Sequence, residues 1–183
     1  MQKKILPHTK DGKIYTSADV QRLFKEAVDS EGGDREAVFK NQKNRQLVEM
    51  WYASGLADYI YQLTGDEYWM YPDDSPDVHF IKNPNTEEAR LFSVEIMTLY
   101  DFEQKVFDGD YKKLAEKVWQ SKGTSDYDRT ELLLVSRLTG ELNVDEFATE
   151  LNKYKWKFLC VRLSVISEKD MSWKIFDIIP YQE

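Results

Sequence analysis

Residues 66–100 read DEYWMYPDDSPDVHFIKNPNTEEARLFSVEIMTLY, and their patterning predicts three strands. Glu67 to Tyr71 is a short aromatic run of the kind that fits a pleated, half-buried surface. Pro72-Asp73-Asp74-Ser75-Pro76 is a cluster of turn formers that ends it. Asp77 to Lys82 then alternates, with Val78 and Phe80 on one face and Asp77, His79 and Ile81 on the other. Asn83-Pro84-Asn85 makes the next turn. Leu91 to Tyr100 predicts a longer strand. Phe92, Val94 and Ile96 share one face, and Ser93, Glu95 and Met97 share the other.

Upstream, the pattern is helical. Thr16 or Ser17 reads as an N-cap, with Val20, Leu23, Phe24, Ala27 and Val28 at helical spacing until Gly32-Gly33 stops them. A long helix is expected from about Asp34 to Leu63, dense in apolar residues from Leu47 onward and stopped by Gly65. Gly55 weakens its middle by up to about 1 kcal/mol relative to Ala, so packing must hold it. Downstream, Phe102 to Gln120 predicts a helix with a break at Gly109. Glu131 to Leu138 contains Leu132-Leu133-Leu134-Val135, a continuous apolar run typical of a strand buried on both faces. Asn143 caps a helix to about Tyr154, and Phe158–Ile166 and Trp173–Ile179 predict two last strands. The expected order is α, α, β, β, β, α, β, α, β, β. It makes an α/β protein with one mixed central sheet flanked by helices.

Composition narrows the class. The 183 residues carry 25 basic and 33 acidic side chains, a net charge of −8, and 14% are aromatic. That length suits one domain, residues 1–183, and the aromatic content excludes wholesale disorder. One cysteine excludes a disulfide scaffold and a multi-cysteine zinc site. No apolar run reaches the ~20 residues of a membrane span, and Met1 to His8 lacks a signal-peptide apolar stretch, so no membrane association and a cytoplasmic location are expected. The acidic balance argues against a nonspecific nucleic-acid coat while leaving room for a local basic groove.

Three carboxylates stand out by position. Glu49 lies in the long helix, Asp77 opens the second strand after Pro76, and Glu95 sits mid-strand. A carboxylate within an apolar strand is costly unless it is hydrogen-bonded, ion-paired or bound to metal. Carboxylates on adjacent strands can hold a hard cation such as Mg²⁺. Each also has a plainer reading: Asp77 as a turn residue capping its own backbone, Glu95 on an exposed edge, Glu49 as a solvated helix residue. His79 shares a face with Asp77 and reads as structural or as lining the same cleft.

A helix bearing a glutamate, then three strands with Pro-Asp opening the second and an acid in the third, then helix and strand, resembles the PD-(D/E)XK nuclease superfamily. The resemblance spans about Gln42 to Leu138. It implies a restriction-endonuclease-like αβββαβ core over 42–138, an N-terminal helical extension over 1–41, and a C-terminal αββ extension over 139–183. It further implies Mg²⁺ or Mn²⁺ held by Asp77, Glu95 and Glu49, and phosphodiester hydrolysis by metal-activated water. The family pattern is acid, any residue, lysine; here Glu95-Ile96-Met97 puts a thioether where the amine belongs. Lys105, on the following helix, is the local candidate for the replacement. A regular strand points Lys82 away from Asp77.

Two functions are therefore expected as alternatives. One is a divergent metal-dependent nuclease, with Asp77, Glu95 and Lys105 catalytic. The other is a catalytically inactive nuclease-fold domain that binds nucleic acid or a basic protein partner, suited to the acidic charge. An unrelated α/β fold would not pair the third strand beside the second. Lys153-Tyr154-Lys155-Trp156-Lys157 interleaves lysines and aromatics, and reads as a helix-to-strand connector or as a nucleic-acid contact. Cys160 reads as a packing residue.

Overall fold

The computed structural model describes residues 13–84, 90–99, 109–125, 127, 129–137, 142–167 and 171–181. The chain divides into two compact units, Met1–Ser93 and Val94–Glu183. Among the described residues there are five α-helices and a mixed six-stranded open sheet, an α/β architecture.

The first unit opens with α1 (Ser17–Ser30). Thr16 caps it through a reciprocal box: Thr16 Oγ1 accepts from the Asp19 amide at 3.2 Å, and Asp19 Oδ2 accepts from the Thr16 amide at 3.1 Å. The long helix expected from Asp34 to Leu63 is broken. It consists of α2 (Arg35–Lys40), a 3-10 turn (Gln42–Asn44) and α3 (Arg45–Thr64). Asn41 causes the break. Its backbone is extended, and its side chain accepts from the Lys43 amide at 3.1 Å, so it caps the turn instead of continuing the helix.

Every residue from Met50 to Ala57 in α3 is buried, which explains how the helix tolerates Gly55: it is held all round by packing. Trp51 stacks on Phe24 of α1 at 4.3 Å between ring centroids. Gly65 ends α3 in the left-handed conformation, its amide donating to Tyr61 O at 2.8 Å.

β1 (Tyr68–Pro72) and β2 (Val78–Lys82) then pair antiparallel, Tyr68 opposite Lys82 and Pro72 opposite Val78. β3 (Arg90–Thr98) follows and crosses the boundary between the units. The strands are ordered β1-β2-β3-β4-β5-β6, so the third does lie beside the second.

The second unit contains α4 (Tyr111–Val118), which continues into a π-helical turn (Trp119–Gly123). Gly109 has a positive φ and Asp110 caps α4, so the helix begins just past the expected break. The expected segment over 102–108 lies outside the described residues. β4 (Thr130–Ser136) is buried at every position, as its apolar run requires. Asn143 caps α5 (Val144–Leu151) by accepting from the Glu146 amide at 3.2 Å. β5 (Val161–Ile166) pairs parallel with β4, and β6 (Trp173–Ile179) pairs antiparallel with β5. A parallel neighbour needs a crossover, and α5 lies within it. β5 starts three residues later than expected, leaving an irregular connector before it.

Among the described residues no helix is long and apolar enough to cross a membrane.

Candidate functional site

The carboxylates singled out above fall in different units: Glu49 and Asp77 in the first, Glu95 in the second. In the first unit, Arg45 opens α3 and Glu49 stands one turn later, so the two face each other. Arg45 Nε lies 2.7 Å from Glu49 Oε1, and Arg45 Nη2 lies 3.8 Å from Asp77 Oδ1. One guanidinium thus touches both carboxylates. Asp77 is buried, only 4% exposed, so this cation offsets part of its desolvation. A polar cleft of about 450 Å³ beside Arg45 and Glu49 is lined also by Gln42, Lys43, Asp73 and Asp74.

His79 is structural in its contacts. Its Nδ1 lies 2.8 Å from Ser93 Oγ and its Nε2 lies 3.2 Å from Asp73 Oδ2. A carboxylate only accepts, so the neutral ring that satisfies both puts its proton on Nε2 and accepts the Ser93 hydroxyl at Nδ1. The ring stacks on Tyr71 at 4.7 Å. Burial lowers the His79 pKa from its ordinary value, with Asp73 pulling the other way. Burial, then the charge of Asp73, pushes the Tyr71 phenol up to about 12. Lys82 pairs with Asp66 at 2.6 Å, away from any catalytic role beside Asp77.

In the second unit, Glu95 is 5% exposed. Strand alternation puts Met97 and Leu99 on its face, and both belong to the buried apolar core of this unit. Met97 therefore fills core volume at the position where the family pattern has lysine. An amine does reach Glu95 from a later segment of the chain. Lys122 Nζ donates to Glu95 Oε1 from the π-helical turn, and Tyr127 Oη donates to the same oxygen at 3.1 Å. Glu95 Oε2 is buried with no hydrogen-bond partner among the described residues. Burial raises the Tyr127 pKa, and the Glu95 charge adds to the rise while Lys122 opposes it. Lys105, the residue expected in this role, lies outside the described residues.

The π-helical turn is held by its own neighbours. A Cβ on Gly123 would lie 2.2 Å from Trp119 Cδ1, so only glycine lets the indole lie there. Trp119 Nε1 donates to Lys155 O at 3.2 Å, and the indole stacks on Tyr154 at 5.3 Å. Tyr127 stacks on Phe158 at 4.7 Å. The segment from Tyr154 to Phe158 thus supports both residues that grip Glu95. A π-helical turn concentrates at functional positions because it re-aims side chains that an α-helix would place elsewhere. The sequence signal that could have marked Lys122 is weak: a Trp-x-x-Lys-Gly at a helix end.

A separate charged cluster went unmarked in the sequence. Glu131, 1% exposed, accepts from Arg162 and from the Tyr181 hydroxyl, and Arg162 Nε reaches Asp177 Oδ1 at 2.8 Å. Burial raises the Glu131 pKa, with Arg162 opposing it. Cys160 is buried and its thiol pKa is raised, first by burial and then by Glu131, which suits packing and not nucleophilic chemistry.

Among the described residues no three His, Cys, Asp or Glu side chains gather to hold a metal ion. Glu95 Oε2 is a single buried carboxylate oxygen, one ligand where a hard cation takes six or more. No family model, no curated protein and no solved structure matches this chain.

Proposed function

We propose that this protein is a divergent nuclease-fold phosphodiesterase that hydrolyses nucleic-acid phosphodiester bonds, with Glu95 and Lys122 acting at the scissile phosphate. One observation carries the reading. A buried strand carboxylate has one oxygen gripped by an amine and a phenol, and its other oxygen has no partner among the described residues. The pairing resembles the carboxylate and amine of the PD-(D/E)XK pattern, with the amine contributed by a later segment, and so supports the reading.

Glu95 Oε2 would hold Mg²⁺ or Mn²⁺, which when bound activates water and neutralises charge developing on the phosphoryl group. Mg²⁺ needs only one or two carboxylates when substrate phosphates and water complete its shell. Tyr127 and Lys122 hold the carboxylate in one rotamer through Oε1. The Lys122 side chain is 21% exposed, and in this reading its ammonium would also donate to a phosphoryl oxygen. Water would add to phosphorus and give up a proton to solvent, the bond to the leaving sugar oxygen would break, and that oxygen would take a proton from solvent. Asp77 and Glu49 enter this reading only through the resemblance.

The test is hydrolysis of labelled DNA and RNA with Mg²⁺ or Mn²⁺. Glu95→Gln and Lys122→Met are expected each to lower the rate by about a hundredfold or more. Unchanged rates in both variants would remove the site.

A second reading has its own observation. Arg45 contacts both Glu49 and Asp77, so these carboxylates are already engaged by a cation of the chain itself. This supports a nuclease-fold module that binds its partner without cleaving it. Absence of metal-binding heat in calorimetry, together with tight oligonucleotide binding and no cleavage, would select it.

A further inference from the structure

We propose that Ser93, His79 and Asp73 form a nucleophile–base–acid relay that hydrolyses short-chain carboxylic esters through an acyl intermediate on Ser93. The relay lies within the first unit and does not depend on the reading of Glu95 and Lys122.

The contacts that seat His79 are also those of such a relay. Ser93 Oγ lies 2.8 Å from His79 Nδ1, and Asp73 Oδ2 lies 3.2 Å from Nε2. A serine is activated when its hydroxyl bonds to a base that a third group orients in turn. Asp73 decides which ring nitrogen is free. Its carboxylate only accepts, so the ring proton sits on Nε2, and Nδ1 keeps its lone pair for the serine proton.

Each member is held in place by its neighbours. Phe92 stacks on Phe80 at 4.7 Å between centroids, and Tyr68 meets Phe92 edge-on at 5.3 Å. Phe80 and Phe92 adjoin His79 and Ser93 in sequence, so strand alternation turns the histidine and the serine together to the opposite face. There the Tyr71 ring stacks on the imidazole. Asp73 is fixed in the turn after β1. Its amide donates to Asp77 O at 3.0 Å, and its Oδ1 accepts from the Asp74 amide at 2.7 Å, which leaves Oδ2 for the ring. His79 is buried and Ser93 only half-buried, while Arg90 and Leu91 just before it are exposed. The hydroxyl thus sits where β3 emerges toward water, with the base behind it. Such a site suits a short acyl group whose leaving alcohol stays in solvent.

The steps balance with water as the one co-reactant. Ser93 Oγ attacks the ester carbonyl carbon as its proton passes to His79 Nδ1, and Asp73 stabilises the imidazolium. The bond to the alkoxy oxygen then breaks, that oxygen takes the proton from Nδ1, and the alcohol leaves. Water attacks the acyl carbon and gives a proton to Nδ1. The bond to Ser93 Oγ breaks, Oγ takes that proton back, and the carboxylic acid leaves.

The experiment treats the full chain with a fluorophosphonate probe, locates the adduct by peptide mass spectrometry, and follows p-nitrophenyl acetate hydrolysis alongside. Both run in EDTA, so they succeed or fail apart from the metal-dependent phosphodiester reading. The probe should mark Ser93, and Ser93→Ala should abolish that adduct. Ser30→Ala, at an exposed helix-end serine, should label as wild type. His79→Gln should slow labelling and hydrolysis by about a hundredfold or more. Asp73→Asn is the sharper variant, because that side chain is 42% exposed and the fold tolerates the change. The carboxamide keeps the Asp74 contact through its oxygen and offers its amide to Nε2, which moves the ring proton to Nδ1 and removes the base. Both rates should fall by about a hundredfold or more. No adduct on Ser93 in the wild type, or an adduct that forms as fast in Asp73→Asn, would overturn the proposal.

Discussion

Lys122 donates to Glu95 across 27 residues of sequence, from a π-helical turn to the middle of a strand. The pair explains how a glutamate remains in β3 on a face that Met97 and Leu99 commit to the core. It is also a pair that can be broken from either side. Lys122→Met leaves a buried carboxylate with Tyr127 as its remaining donor, and should destabilise the fold by about 2–4 kcal/mol. Glu95→Gln/Lys122→Met should cost less than the sum of the single changes. Urea unfolding of all three variants measures the coupling, and strict additivity would mean the contact contributes nothing.

Gly123 sets where the turn can go. Adding a methyl group there drives the Trp119 indole away from the Lys155 carbonyl and the Tyr154 ring. Gly123→Ala should therefore destabilise by about 1–3 kcal/mol, an overpacking cost. In a Trp119→Leu background the same change should cost little. Equal losses in both backgrounds would show that the ring is not what the methyl group meets.

His79 makes a prediction in pH. Its folded pKa lies below the ordinary 6.5 because burial disfavours the charged ring. Below about pH 6.5 the unfolded chain takes up a proton that the folded chain resists. The contribution of the neutral ring is thus present in full above that value, and declines as pH falls toward the folded pKa. His79→Gln should flatten the part of the stability profile lying between the two pKa values. Profiles of the two proteins that stay parallel through that window would contradict the account.

Glu131 and Arg162 form a buried pair with Asp177 and Tyr181 around it. Glu131→Leu alone removes the buried partner of the guanidinium, whose side chain is 11% exposed, and leaves it the half-exposed Asp177, so it should cost about 3 kcal/mol. Glu131→Leu/Arg162→Leu removes both charges and should recover much of that loss. Thermal unfolding at neutral pH distinguishes the two, and a double variant no better than the single would count against the pairing.

Much of the fold is legible in short windows. The Thr16 and Asn143 caps, the Gly65 stop, the Gly109 break and the four-residue apolar run of β4 each depend on neighbours within one turn or one strand. So does the alternation that puts Glu95 on the face of Met97. Where the helical pattern does not hold, the competitor is also local: Asn41 caps a turn inside it, and periodicity of apolar residues carries no trace of that hydrogen bond.

The candidate site divides along the same line. Patterning and turn chemistry, both properties of consecutive residues, determined that Glu95 sits within a strand and shares its face with Met97, while Asp77, expected to open the second strand, lies in the bend just before β2. Tertiary structure alone decided that Lys122 donates to Glu95, that Arg45 reaches both Glu49 and Asp77, and that Glu131 is closed in by Arg162 and Tyr181. Except for the Arg45–Glu49 spacing of one helical turn, these contacts join residues far apart in sequence. They exist because strand pairing and core packing bring distant side chains together, and no window short enough to show a period contains both partners.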